Sequence, residues 1–129
     1  MQRDMDLIRD MLLQVEKLPC SVQWYEIALP GRSREELCYH AKLAHDAGLI
    51  EARFLSGTTI FMVHRLTNEG HEFVDAAREP TIWKRAKETV LNTAGTLTAV
   101  ALETALKVVV QQAVTGTSER VNVAFGSLR

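Results

Sequence analysis

Leu49 to Leu66 reads LIEARFLSGTTIFMVHRL. Two runs rich in β-branched and aromatic residues flank a Ser56-Gly57 step, the pattern of a β-hairpin closed by a tight turn. In the first run Ile50, Ala52 and Phe54 alternate with Glu51 and Arg53, so one face is apolar and the other charged. The second run, TIFMVHRL, is partly apolar on both faces and is expected to pack on two sides.

Both flanks of this hairpin read as helices. Upstream, Ser33 is followed three residues later by Glu36, a capping box that starts a helix. The helix runs to about Ala47 and stops at Gly48, with Leu37, His40, Ala41, Ala44 and Ala47 on one face. Downstream, Thr67 caps a helix whose apolar side carries Phe73, Val74 and Ala77. Pro80 restarts a helix at its first turn, where a missing amide costs nothing. Ile82, Trp83, Ala86 and Val90 form its core side, opposite Lys84, Arg85, Lys87 and Glu88.

Further out, Asp4 to Lys17 is a helix: Met5, Ile8, Met11, Leu12 and Val15 recur at three- and four-residue steps, Asp4 caps the start and Pro19 ends the run. Val22 to Ile27 reads as a short strand. After a break at Gly95, Leu97 to Val114 forms a last helix, apolar nearly all round except for a strip of Glu103, Lys107 and Gln111. Such a helix is buried or covered by a partner, and its polar strip argues against a membrane span. In the tail, Val121 to Phe125 reads as a strand.

The expected fold is α+β and mainly helical. Residues 1–79 form a winged-helix-like domain in the order helix, strand, helix, hairpin, helix, with one helix of the usual arrangement missing. Residues 80–116 form a helical extension, expected to serve oligomerisation, and 117–129 a tail.

At 129 residues the chain has the size of one domain and can bury a real core. The formal charge of −1 hides an asymmetry: residues 1–80 carry nine basic and thirteen acidic side chains, residues 81–129 six and three. A chain-wide basic footprint for nucleic acid is missing, although a local patch is compatible with the count. Cys20 and Cys38 lack the spacing of a disulfide framework or zinc site and read as free thiols in a reducing compartment. The amphipathic start, MQRDMDLIRD, is no signal segment, so a cytoplasmic location in a bacterium or phage-infected cell is expected.

Three blocks carry a resemblance: RDMDLIRDMLLQVE (Arg3–Glu16), YHAKLAHDAGLIEA (Tyr39–Ala52) and RLTNEGHEFVDAAREPTIW (Arg65–Trp83). In order and spacing they resemble a phage- and prophage-associated bacterial family of unknown function, number 2513. Its pattern runs from a RDMDLIR opening through a central YHxxLLxxAGLI to RLTWxGHEFLDxxRDxxxW. Asn68 stands where the family tends to have Trp, and Ala44 where Leu is frequent, which lightens apolar surface near the hairpin. The resemblance covers about two-thirds of the chain and implies a compact winged-helix-like module without a defined activity.

The chemistry-bearing residues favour structural roles. A helix sets His71 and Asp75 on one face; the expectation is that His71 bonds Asp75 or a backbone carbonyl and locks this helix to the hairpin. His40 reads as a satisfied core histidine and His64 as a hairpin side chain. Glu35 and Glu36 oppose thiolate formation at Cys38. No nucleophile elbow, phosphate-binding glycine loop or metal-ligand cluster is present in the sequence, so no enzyme, cofactor or metal is expected.

The leading expectation is therefore a non-enzymatic interaction protein of phage or prophage type that binds a host or phage protein as an oligomer. Its interface would use Leu102, Leu106, Val109, Val110 and Ala113. The rival is a dimeric DNA-binding transcriptional regulator, with Arg34, Lys42, Arg53, Lys84, Arg85 and Lys87 as phosphate or base contacts.

Overall fold

A computed structural model of the chain describes residues 1–110. The elements are α1 (Met5–Glu16), α2 (Arg34–Asp46), β1 (Ile50–Phe54), β2 (Phe61–Leu66), α3 (Asn68–Ala77) and α4 (Pro80–Ala94). A further helix, α5, covers residues 99–110. Among the described residues the fold is mixed α+β, with helices and a two-stranded antiparallel hairpin. Backbone contacts divide it into two compact units, Met1–Arg78 and the one beginning at Glu79. Among the described residues no helix is long and apolar enough to cross a membrane.

The helix starts follow their caps. Asp4 accepts the Leu7 amide, Thr67 the Gly70 amide, and Ser33 with Glu36 makes the reciprocal capping box. Glu79 closes the start of α4 by accepting the Thr81 and Ile82 amides, and Pro80 occupies its first turn. Gly48, at φ +76°, takes the left-handed conformation that turns the chain out of α2 toward β1.

The core of the first unit is built on α1. Met5, Leu7, Ile8, Met11, Leu12 and Val15 are all buried, against α2, β2 and α3. Each such side chain contributes about 1.5–3 kcal/mol by leaving water. Phe61, Val63 and Leu66 supply the inward face of β2, and Phe73, Val74 and Ala77 that of α3. His40 is the buried polar residue of this core, 1% exposed. One ring nitrogen, Nδ1, donates to the Glu36 carbonyl at 2.8 Å, and Nε2 accepts the Asp4 amide at 2.9 Å. Both ring nitrogens are therefore satisfied, and the imidazole joins the start of α1 to α2. A core histidine with a satisfied ring is what the sequence led us to expect.

The two sides of the hairpin close on a single crossing. The Thr67 amide donates to the Leu49 carbonyl at 3.0 Å. The Thr67 hydroxyl donates to the Gly48 carbonyl and accepts the Gly70 amide. Gly70 lies directly on Leu49: a β-carbon there would sit 2.0 Å from the Leu49 carbonyl oxygen. The start of α3 can meet the start of β1 this closely only because residue 70 has no side chain.

Two expectations need correction. Val22 to Ile27 is not a strand. Only Tyr25 pairs, exchanging two 2.8 Å backbone hydrogen bonds with Val63. The cause is local: the Ser21 hydroxyl accepts the Gln23 amide and meets the Tyr25 hydroxyl at 2.8 Å, which bends the segment and leaves Val22 exposed. Nor does the last helix begin at Leu97, and only one of its apolar sides is buried. It starts after Thr98, whose hydroxyl accepts the Ala101 amide. Leu102, Ala105, Leu106 and Val109 are buried, whereas Val100 and Val108 are exposed. The remainder of the expected helix to Val114 and the strand at Val121–Phe125 lie outside the described residues.

Gly70→Ala tests the crossing. Helix propensity alone would make this change favourable by about 1 kcal/mol. The clash with backbone instead predicts a net loss of about 3 kcal/mol or more in urea denaturation. Gly57→Ala, at φ +77° with open space around its Cα, is predicted to lose only about 1–2 kcal/mol.

Candidate functional site

The side chains with most chemistry gather where the 17–33 segment meets the hairpin. His64, on β2, reaches outward. Its Nδ1 lies 3.0 Å from a Glu51 carboxylate oxygen and its Nε2 2.9 Å from the Ser21 carbonyl. Glu51 is also gripped by Arg65, through Nε at 3.0 Å and Nη2 at 3.1 Å. Trp24 lies between two partners: its ring stacks on His64 with centroids 4.8 Å apart, and the Arg53 guanidinium sits 4.3 Å over the ring. Such a cation–π contact is worth about 0.5–1 kcal/mol where water has access.

This cluster borders a cleft of about 290 Å³ lined by Val15, Glu16, Cys20, His64, Leu66 and His71, among others. Cys20 is exposed and Cys38 buried, both as free thiols. A histidine oriented by a carboxylate beside a cysteine invites comparison with a nucleophile–base pair. Here the nitrogen opposite the carboxylate is already bonded to the Ser21 carbonyl, so it has no free lone pair to take a thiol proton. Among the described residues no group of three or more His, Cys, Asp or Glu side chains could hold a metal ion.

The role expected of His71 falls to other residues. His71 is exposed at the rim of the cleft, and Asp75 bonds Arg78 at 3.2 Å rather than His71. Arg78 also grips Glu16 through both Nη atoms, one at 2.8 Å. From α1, the Arg9 guanidinium donates to the carbonyls of Ala77 at 2.7 Å and Arg78 at 2.9 Å. Two arginines thus join the end of α3 to α1. The rigid fork of a guanidinium suits it to this bridging, and a positive charge is favoured at a helix C-terminus. The sequence signal was the position of Arg78 at the end of α3; nothing local marked Arg9.

The six cations nominated for DNA divide between the two units, three in each. Arg34 is exposed at the first turn of α2, beside a second cleft lined by Glu26, Ile27 and Phe61. Lys42 is exposed on α2, its ammonium 5.8 Å from the Phe54 ring centre, and Arg53 is occupied with Trp24. The exposed side of α2 carries Arg34, Lys42, Glu35 and Asp46, two charges of each sign. Lys84 and Arg85 are exposed on α4 in the second unit, where Lys87 lies over Trp83 at 5.6 Å. Of the residues nominated for an oligomer interface, Leu102, Leu106 and Val109 are buried within the chain itself, Val110 is half-buried, and Ala113 lies outside the described residues.

The surface that the sequence did not nominate is apolar. Leu55, Ile60 and Met62 are exposed on the hairpin, at 56%, 42% and 36%, and Tyr39 on α2 at 37%. The two-sided packing expected of TIFMVHRL does not extend to Met62, which is left exposed. Trp24 could not be linked to Arg53 and His64 from sequence, because the three belong to segments far apart in the chain.

Glu16 and Glu51 titrate below the ordinary carboxylate value of 4.5. The hydrogen bond from Arg78 is the main cause for Glu16, and those from His64 and then Arg65 for Glu51. A depressed folded pKa stabilises above the unfolded value, and this contribution is lost as pH falls through the folded one. Glu16→Gln and Glu51→Gln are each predicted to lower stability at pH 7 and to flatten the acid limb of the stability–pH curve below pH 4.5.

No solved structure matches this chain. It is 32% identical over 115 residues to an uncharacterized protein of Haemophilus influenzae, an alignment covering 87% of this chain and 98% of that one. The family model described as hypothetical protein DUF2513 matches residues 2–96, which takes in α1, α2, the hairpin, α3 and α4. The chain belongs to the DUF2513 family.

Proposed function

We propose that this protein is a non-enzymatic, winged-helix-like interaction module of phage or prophage type, which works by docking on a protein partner as an oligomer. The order α1, α2, hairpin supports the winged-helix reading, as does the Tyr25–Val63 bridge, which adds a third chain segment beside β2. The phage association rests on the family resemblance.

The observation that carries the protein-partner reading is the exposed apolar set on the hairpin. Leu55, Ile60 and Met62 stand where a DNA-binding wing would need cations. The hairpin tip, Ser56 to Thr59, carries no lysine or arginine, and the exposed charges of α2 balance. Aromatic, methionine and arginine side chains are the types enriched at protein interfaces, and Trp24, Met62 and Arg53 supply them here. Self-association is proposed through the exposed Val100 and Val108 side of α5 rather than through its buried leucines. The rival reading, a dimeric DNA-binding regulator, is favoured by one feature: Lys84 and Arg85 stand exposed together on α4.

Affinity capture from host lysate, with and without nuclease, separates these readings. The protein reading predicts a nuclease-resistant partner, lost from a folded Leu55→Asp/Ile60→Asp variant and retained by Lys84→Glu/Arg85→Glu. Nuclease-sensitive capture, with a salt-dependent shift of duplex DNA that Lys84→Glu/Arg85→Glu abolishes, would establish the rival instead.

A further inference from the structure

His64 meets an acceptor at each ring nitrogen. The Ser21 carbonyl, 2.9 Å from Nε2, has no proton to give, so Nε2 must be the donor. The Glu51 oxygen, 3.0 Å from Nδ1, belongs to a carboxylate that two Arg65 nitrogens hold in its ionised form. Nδ1 must then also be a donor. Only the imidazolium satisfies both contacts. A neutral ring keeps one hydrogen bond and turns a lone pair toward an oxygen at the other.

The two contacts belong to different parts of the first unit. Glu51 is on β1, beside His64 in the sheet, whereas Ser21 belongs to the segment linking α1 to α2. That segment is held to the hairpin near this point by the Ser21 contact, the Trp24 stack and the Tyr25–Val63 bridge. The first two involve the His64 ring directly. Leu18 to Ser21 also forms one wall of the cleft that His64 and His71 line.

We propose that His64 is a pH-sensitive clamp: as the imidazolium it holds the Ser21–Tyr25 segment to the hairpin through both ring nitrogens, and on losing a proton it gives up one of these holds and loosens the wall of the cleft. The charged and titratable groups around it come from every neighbouring element. Glu51 and Arg65 lie on the hairpin, Arg53 above Trp24, Cys20 in the segment itself, Glu16 on α1 and His71 on α3. The two nearest charges act in opposite directions: Glu51 favours the imidazolium and Arg65 opposes it. The hydrogen-bonded carbonyl of Ser21 is the largest influence, followed by Glu51, and together they raise the ring above the ordinary histidine value of 6.5. With the folded value raised, the clamp is fully engaged below pH 6.5 and is lost as pH rises through the higher folded value.

The test uses the full chain, labelled with ¹⁵N, between pH 5 and 9. The His64 ring nitrogens should both show imidazolium shifts at pH 6, with a midpoint above 6.5. The Trp24 indole resonance should move with the same midpoint. His64→Gln, which cannot titrate, should abolish the Trp24 transition, and His71→Gln should leave it in place. A single neutral tautomer of His64 at pH 6, a Trp24 resonance that ignores pH, or a transition that survives His64→Gln would each overturn the clamp. The ring-nitrogen titration is read in the unmodified protein, so the proposal stays testable even if a variant fails to fold.

Discussion

The first unit depends on a contact between two backbones. Where α3 begins, Gly70 lies against the Leu49 carbonyl so closely that no other residue fits without displacing main chain. The same carbonyl accepts the Thr67 amide, and the Thr67 hydroxyl ties Gly48 to Gly70. Residues at opposite ends of the hairpin are thereby fixed to each other, and this sets the register in which Ile50 faces Leu66. With the hairpin closed, Phe61, Val63 and Leu66 present one apolar face to α1, and α3 returns along the same core. Side-chain burial supplies most of the stabilisation, but the backbone crossing decides which side chains can be buried together.

Polar groups then position the helices on that frame. His40 joins the start of α1 to α2 from inside the core, while Arg9 and Arg78 join α1 to the end of α3 at its edge. Two of these contacts engage backbone groups at helix ends, the Asp4 amide and the Ala77 carbonyl, which lack partners within their own helices. The His64 cluster differs in kind, since its contacts hold a loop to a sheet and change with protonation. It is the part of the unit in which conformation and ionisation are linked.

The sequence reveals features governed by neighbours along the chain. The capping box at Ser33, the caps at Asp4 and Thr67, Pro80 at a first turn and the hairpin around Gly57 are all local patterns, and the helix starts and strands follow them. The buried His40 was legible because its helix face was apolar. Less legible were pairings between distant segments. The histidine and aspartate in GHEFVD looked like partners at four-residue spacing, yet Asp75 is drawn to Arg78 and His71 faces solvent. An arginine with several donors competes better for a carboxylate than an exposed imidazole does. The Val22–Ile27 run had strand-forming residues, but the Ser21 hydroxyl bends it, leaving Tyr25 as its one paired residue. At the candidate interface, periodicity identified an apolar α5 without showing which of its faces the chain itself covers.

The central claim is that the Leu49–Thr67–Gly70 crossing opens only when the whole unit unfolds. Native-state hydrogen exchange of the Thr67 amide tests it most directly, because that proton is donated to Leu49 across the crossing. Protection of Thr67 equal to that of the Leu12 amide in the middle of α1, with the same denaturant dependence, is the predicted result. Exchange of Thr67 through a denaturant-independent local opening, while Leu12 remains protected, would contradict it.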